Sequence, residues 1–503
     1  MAEKKIEIVS TRNAECEKPQ KQPMSPFLRQ LFAVSGVVMY MIGTGANIAY
    51  PGVLLEQLRR PDSAVRLTPD HESWIASILG LALISGILTA PFCLQKLGRR
   101  LTNQLSTLPT MGGWALLLTA RSPEALLISR SLQGFGMGLQ AACAPVSIAE
   151  YSAPKHRGVF LATIAFSFAT GMLVAHVFGT ILYWRTAAIA CGSCYVISLI
   201  LISLSPETPP YLASRGKFNE CRKSFRWLRG YGDDSEKELE VLLNSQRKTV
   251  TNTPKVSKFK YYFDVIRKPE FYKPTFIMVC MFILFQVSGM TVVPSYTVPM
   301  MNEVTSGHIE AYTSMLMVDV VRFVSAIIAC IVVNKLNRRT VLFLGIYISV
   351  ISLFTTSILL YLRDFGYIPD PYKWTPVIPT LLYIFGKTLG ILPIPWAIAG
   401  EIFPLAYRSL GSGISGLTLS LMFFVVVKTA PSSFSAIGVK GTFCIYGLCI
   451  AICGAFLFFL LPETNGKTLY EIECHFKGLK DKISRTDTCE KDRMLELEKV
   501  EEG

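Results

Sequence analysis

Two acid–base pairs in this chain share one spacing: Glu150 stands seven residues before Arg157, and Glu401 stands seven residues before Arg408. Ion pairs at a seam between two rigid bodies can hold one arrangement and break in the next. Arg99, Arg100 and Arg130 are expected to gather with the first pair at one set of helix ends, and Arg338 and Arg339 with the second, forming two latches. A further group lies inside apolar runs: Asp319 and Arg322 at i and i+3, then Lys387 followed by Thr388. Charge at membrane depth costs several kcal/mol unless it faces water or a partner, so such residues are functional candidates. Asp319 either neutralises Arg322 and fixes helix packing or carries a proton, a role that the neighbouring cation weakens. Lys387 has no acid beside it; if it and Arg322 both face a cavity, the solute is an organic anion. His176 stands alone on an apolar stretch and reads as a structural histidine. No Ser-His-Asp order, metal-ligand cluster or phosphate-cradling loop stands in a soluble stretch, so an enzyme is disfavoured and no cofactor or metal is expected.

The elements that carry these residues follow from composition. Of 503 residues, 51% are hydrophobic and 17% charged, with a mean hydropathy of +0.39. Such a balance calls for lipid as solvent, and a spanning helix needs about 20 apolar residues. About twelve such windows fit between 30 and 461, so the expected class is an all-α membrane protein of twelve transmembrane helices in two pseudo-symmetric six-helix bundles. The expected divisions are a tail over 1–29, a first bundle over 30–204, a linker over 205–272, a second bundle over 273–461 and a tail over 462–503. The first tail lacks a signal-peptide pattern. In the linker, FNECRKSFRWLRG and SEKELEVLLNSQRK read as amphipathic helices. The thirteen cysteines lack metal-ligand spacing and read as small buried hydrophobes, with no disulfide framework.

The net charge of +14 is topological and does not point to nucleic acid. Lys96, Arg99 and Arg100, then Lys155 and Arg157, the linker, then Lys335, Arg338 and Arg339, and finally Arg408 all fall in even-numbered loops. The positive-inside rule puts those loops and both termini in the cytoplasm. The halves also echo one another: LGRRL at 97–101 with LNRRT at 336–340, AEYSAPKHRG at 149–158 with GEIFPLAYRSLG at 400–411, and SPETPP at 205–210 with LPETNG at 461–466.

With GRR at 98–100, RSLQGFGMG at 130–138, PVSIAE at 145–150, PETPPYL at 206–212, QVSGM at 286–290, PIPWAIAGEIFP at 393–404 and PETNGKTLYEIE at 462–473, the chain resembles the sugar porter family of the major facilitator superfamily. SWIAS at 73–77, after a short first outer loop, is similar to insect facilitated trehalose transporters. The resemblance implies the major facilitator fold, a central cavity and sugar uptake across the plasma membrane by a carrier that works as a monomer with a small-molecule solute and the bilayer as its partners. It implies a sugar site at Gln286, Thr291 and Trp396, with Arg322, Lys387 and Thr388 at further cavity positions, and an outer gate at Tyr296. Phe285, Thr291 and Ala165 stand where the family has hydrogen-bonding Gln, Asn and Gln, so several hydroxyl partners are missing. The first helix lacks the carboxylate of proton-driven relatives, which implies uniport. Other readings left open are an organic-anion uniporter using Arg322 and Lys387 and a solute sensor that does not cycle.

Overall fold

The computed structural model describes residues 24–61, 63, 65–250, 266–399, 402–403, 408–464, 472 and 475–476. Helices α1 (Pro26–Leu58), α2 (Pro69–Lys96), α3 (Arg99–Thr119), α4 (Pro123–Tyr151), α5 (Pro154–Ile181) and α6 (Trp184–Leu204) run up and down as six spans. Their starts are written locally. Pro26, Pro69, Pro123 and Pro154 occupy first-turn positions that need no N–H. Thr68 Oγ1 accepts from His71 N at 3.3 Å, and Ser122 Oγ accepts from Ala125 N at 3.3 Å.

Three short helices follow, α7 (Pro209–Ser214), α8 (Phe218–Arg229) and α9 (Asp233–Val250), the latter two covering the amphipathic stretches read in the linker. Leu212, Cys221, Phe225, Leu239 and Leu243 give them a small core of their own. The remaining spans are α10 (Pro269–Val287) continued by α11 (Val292–Ser295) and α12 (Thr297–Thr305), then α13 (Ala311–Lys335) and α14 (Arg338–Asp364). After these come α15 (Val377–Gly386), a π-turn over Lys387–Ile391 and α16 (Pro393–Ala399), and finally α17 (Arg408–Leu460), which turns at Gly438, where φ is +70°. That turn divides α17 into two spans.

Nine described stretches are long and apolar enough to cross a membrane. The turn in α17 adds a tenth span, and α3 and α4 complete twelve. Those two are less apolar because they bury polar side chains against each other. Ser106 Oγ donates to Gln140 Oε1 at 2.7 Å, Gln140 Nε2 to Asn103 Oδ1 at 2.8 Å, and Asn103 Nδ2 to Ser147 Oγ at 2.9 Å. In GFGMG, a Cβ at Gly138 would lie 2.2 Å from the Leu83 carbonyl oxygen, so the glycine lets α4 close on α2.

The halves meet where α2 packs on α17, α5 on α13 and α1 on α11. The second span of one half packs on the fifth of the other in both directions, and the first spans pack on each other, as a pseudo-two-fold axis requires.

Candidate functional site

Two of the described spans are broken, both in the second half. Gly289, with φ at +71°, ends α10, and a Cβ there would stand 2.6 Å from Tyr383 Oη, so a side chain at this position meets both strain and a clash. The π-turn over Lys387–Ile391 interrupts the tenth span, followed by Pro393 and Pro395. Unwound backbone at membrane depth is tolerated where protein buries it or where it lines a cavity.

A cavity lies between the halves, lined from α1, α2, α4 and α5 on one side and α10, α16 and α17 on the other. Its walls are mostly Met, Leu, Ile and Phe, with Thr44, Gln286, Thr291 and Ser420 as the neutral polar groups. Gln286 Nε2 donates to Leu419 O at 3.2 Å, and Thr291 Oγ1 donates to Gln286 Oε1 at 2.9 Å. The amide keeps one N–H and one lone pair for a solute. Trp396 stands edge-on to Phe282 and Phe285, at 5.5 and 6.3 Å between ring centroids, and its indole N–H has no protein partner.

Arg322, Lys387 and Thr388 do not line this cavity. Lys387 Nζ donates to Gly289 O at 3.1 Å and to Tyr383 Oη at 3.2 Å: the break in the seventh span frees a carbonyl that captures the amine. Thr388 is buried in the π-turn and its hydroxyl has no partner. Arg322 turns back one helical turn to pair with Asp319. His176, read as a structural histidine, is buried with both ring nitrogens partnered. Its Nδ1 meets the other oxygen of Asp319, and its Nε2 lies 3.2 Å from Ala49 O and 3.2 Å from Pro294 O.

Polar links between the halves gather at the end away from the basic loops. Lys428 Nζ donates to Asp70 Oδ1 at 2.9 Å and to Ser73 Oγ at 2.7 Å, over the Trp74 ring at 4.3 Å. Arg60 reaches Tyr312 Oη at 3.4 Å, and Ser295 Oγ donates to Ile48 O at 3.3 Å. Tyr296 is buried here, edge-on to Phe434 at 6.3 Å. This end is shut.

At the basic end Arg99 pairs with Glu150, Nη2 to Oε1 at 2.7 Å. Glu207 accepts from the backbone N–H groups of Arg99 and Arg100 at 3.0 and 3.1 Å, and burial pushes its carboxyl up despite these donors. Arg100 also reaches Ser203 O. In the second half Glu463 accepts from Arg339 N at 3.1 Å, while the Arg339 guanidinium donates to Phe458 O at 2.6 Å; Arg338 opens α14 beside it. Arg157 is exposed on the first turn of α5 and does not join Glu150. Glu401 and the side chain of Arg408 lie outside the described residues.

Arg130 is a correction: it belongs to no latch at the basic end. It sits in α4 twenty residues from Glu150, about 30 Å along the helix. There it is buried, donating to the Asn47 side chain, to Asn47 O at 3.0 Å and to Gln133 Oε1 at 2.8 Å.

Sequence reasoning also missed Glu207 and Glu463 as caps, although both stand in the repeated PET. It gave no role to Asn47, Lys428 or the pairing of His176 with Asp319, which no local pattern reveals.

Two repeats of six helices, broken spans beside a central cavity and a seam shut at one end define a major facilitator carrier embedded in a membrane. The chain matches the family described as "Sugar (and other) transporter" over residues 30–476, and it belongs to that family of transporters. It is 31% identical to a facilitated trehalose transporter, Tret1, of Apis mellifera ligustica over 93% of this chain and 91% of the relative. It is 30% identical to Tret1 of Aedes aegypti over 92% of this chain, spanning 57% of that relative. The fold is similar to the proton:xylose symporter XylE bound to 6-bromo-6-deoxy-D-glucose, with a TM-score of 0.71 and 20% identity over 90% of this chain and 99% of that one.

Proposed function

We propose that this chain is a facilitative carrier of a neutral sugar, trehalose or a hexose, working as a monomer in the plasma membrane with both termini in the cytoplasm. The bundles over 30–204 and 273–461 rock about the central cavity, joined by the linker over 205–272. The observation that carries the reading is the cavity itself: it spans both halves and is lined by neutral side chains, Gln286, Thr291 and Trp396 among them, while Arg322 and Lys387 are turned away into other contacts. Neutral donors and acceptors suit sugar hydroxyls, and an aromatic wall suits a pyranose face.

In this proposal Gln286, Thr291 and Trp396 hold the sugar. Tyr296 and its neighbours close one end, and Glu150, Arg99, Arg100, Arg157, Arg338, Arg339, Glu401 and Arg408 work at the other. The closed end faces outward, which makes the state inward-facing. Asn47 as the neutral partner of Arg130 supports transport without a carried proton. Exchange of radiolabelled trehalose in proteoliposomes, with a protonophore present, tests this. Saturable exchange that persists with pH equal on both sides supports a uniporter. Exchange that requires a proton gradient removes that part of the reading.

A further inference from the structure

The central cavity has two unlike sides. The second half contributes Gln286, Thr291 and Ser420, together with Trp396, whose indole N–H has no protein partner. The first half contributes Met41, Leu83, Met137, Ile164, Phe168 and Met172. Thr44 is the polar side chain that the first half adds to the described lining, and its Oγ1 donates to Tyr40 O of its own helix at 3.0 Å. The Met137 sulfur is engaged as well, accepting from Asn47 Nδ2 at 3.1 Å. Hydrogen bonding is therefore concentrated on one side, and no charged side chain is among the described lining residues.

A free sugar carries hydroxyls around its whole edge. Those turned toward the first half give up water for thioethers and aliphatic carbons, which is unfavourable for a polar group left unpaired. The complementary solute is polar at one end and apolar at the other. Met41, Met137 and Met172 are unbranched and polarisable, so they mould to irregular shapes and make favourable contacts with the edge of an aromatic ring. The uncharged lining calls for a neutral solute, since a charge placed there loses its hydration without gaining a partner.

We propose that the preferred solute is a neutral aryl glycoside, its sugar held by Gln286, Thr291 and Trp396 of the second half and its aryl group packed against Met41, Met137 and Met172 of the first. The proposal rests on the sugar-carrier reading above and names the solute within it. Free glucose and trehalose enter the same cavity with lower affinity, because they leave the apolar side without a matching surface.

Uptake of four radiolabelled solutes into proteoliposomes tests this: glucose, trehalose, methyl β-D-glucoside and phenyl β-D-glucoside, with protein-free liposomes to subtract leak. The proposal expects a KM for the phenyl glucoside at least tenfold below that for the methyl glucoside, since the two differ only in the apolar area they bury. It expects that ratio to fall below about threefold when Met41→Gln and Met172→Gln are combined, and to persist in Met172→Leu, which keeps the wall apolar. A ratio near one in the unaltered protein, or a ratio that the double Gln variant leaves unchanged, overturns the proposal; the first of these decides even where a variant fails to fold. Benzyl alcohol that blocks phenyl glucoside uptake as strongly as the unlabelled glucoside does also overturns it, because the sugar then adds nothing to recognition. Saturable glucose or trehalose uptake with a ratio near one removes the aryl preference and leaves the sugar-carrier reading standing, whereas no saturable uptake of any of the four removes both.

Discussion

Thr291 Oγ1 donates to Gln286 Oε1 at 2.9 Å, joining the residue just past the break at Gly289 to the last turn of α10. The contact orients a buried amide that lines the cavity. Thr291→Val keeps the volume and removes the donor, leaving the Gln286 carbonyl short of one partner. At about 1 kcal/mol for such a bond, KM for the sugar rises roughly fivefold with the maximal rate little changed. Concentration-dependent uptake measures both.

Trp396 closes the aromatic wall with Phe282 and Phe285. If the ring face holds the sugar, Trp396→Phe keeps most of the affinity and Trp396→Ala raises KM about tenfold or more, equivalent to about 1.4 kcal/mol. A Phe variant as impaired as the Ala variant would assign the contact to the indole N–H instead.

Arg130 joins α4 to α1 and α2 through the Asn47 side chain and carbonyl and the Ile75 carbonyl. A lysine has the charge but not the planar fork that reaches these acceptors together. Arg130→Lys is expected to cost about 1–3 kcal/mol through buried acceptors left unpaired, seen as a lower unfolding midpoint in detergent.

Glu207 and Glu463 cap corresponding helices in the two halves, α3 and α14. Replacing either by Ala costs about 1 kcal/mol, as for other helix N-terminal caps. The sites lie in different halves with no shared partner, so the double variant should lose the sum within about 0.5 kcal/mol. Thermal unfolding of the four proteins checks both the size and the additivity.

The repeat was legible because it is written in local signals: basic loops, first-turn prolines and the recurring Glu of PET. The residues around the cavity were partly legible, since Gln286, Thr291 and Trp396 sit in motifs and do line it. Lys387 was placed in the cavity because its partner is a backbone carbonyl, freed by a break that side-chain patterns do not express. His176 and Asp319 are 143 residues apart and meet across the seam between the halves. Arg130 was grouped with cytoplasmic arginines because loop charge reports topology, while a charge inside a helix reports its partners.

The central claim is that the Gln286 cavity carries a neutral sugar. Uptake of radiolabelled trehalose, glucose and a panel of organic anions, in oocytes expressing the unaltered protein or Gln286→Ala at matched surface levels, tests it most directly. Saturable trehalose or glucose uptake that Gln286→Ala lowers at least tenfold, with no anion uptake, is the expected result. Anion uptake without sugar uptake, or sugar uptake that Gln286→Ala leaves unchanged, contradicts it.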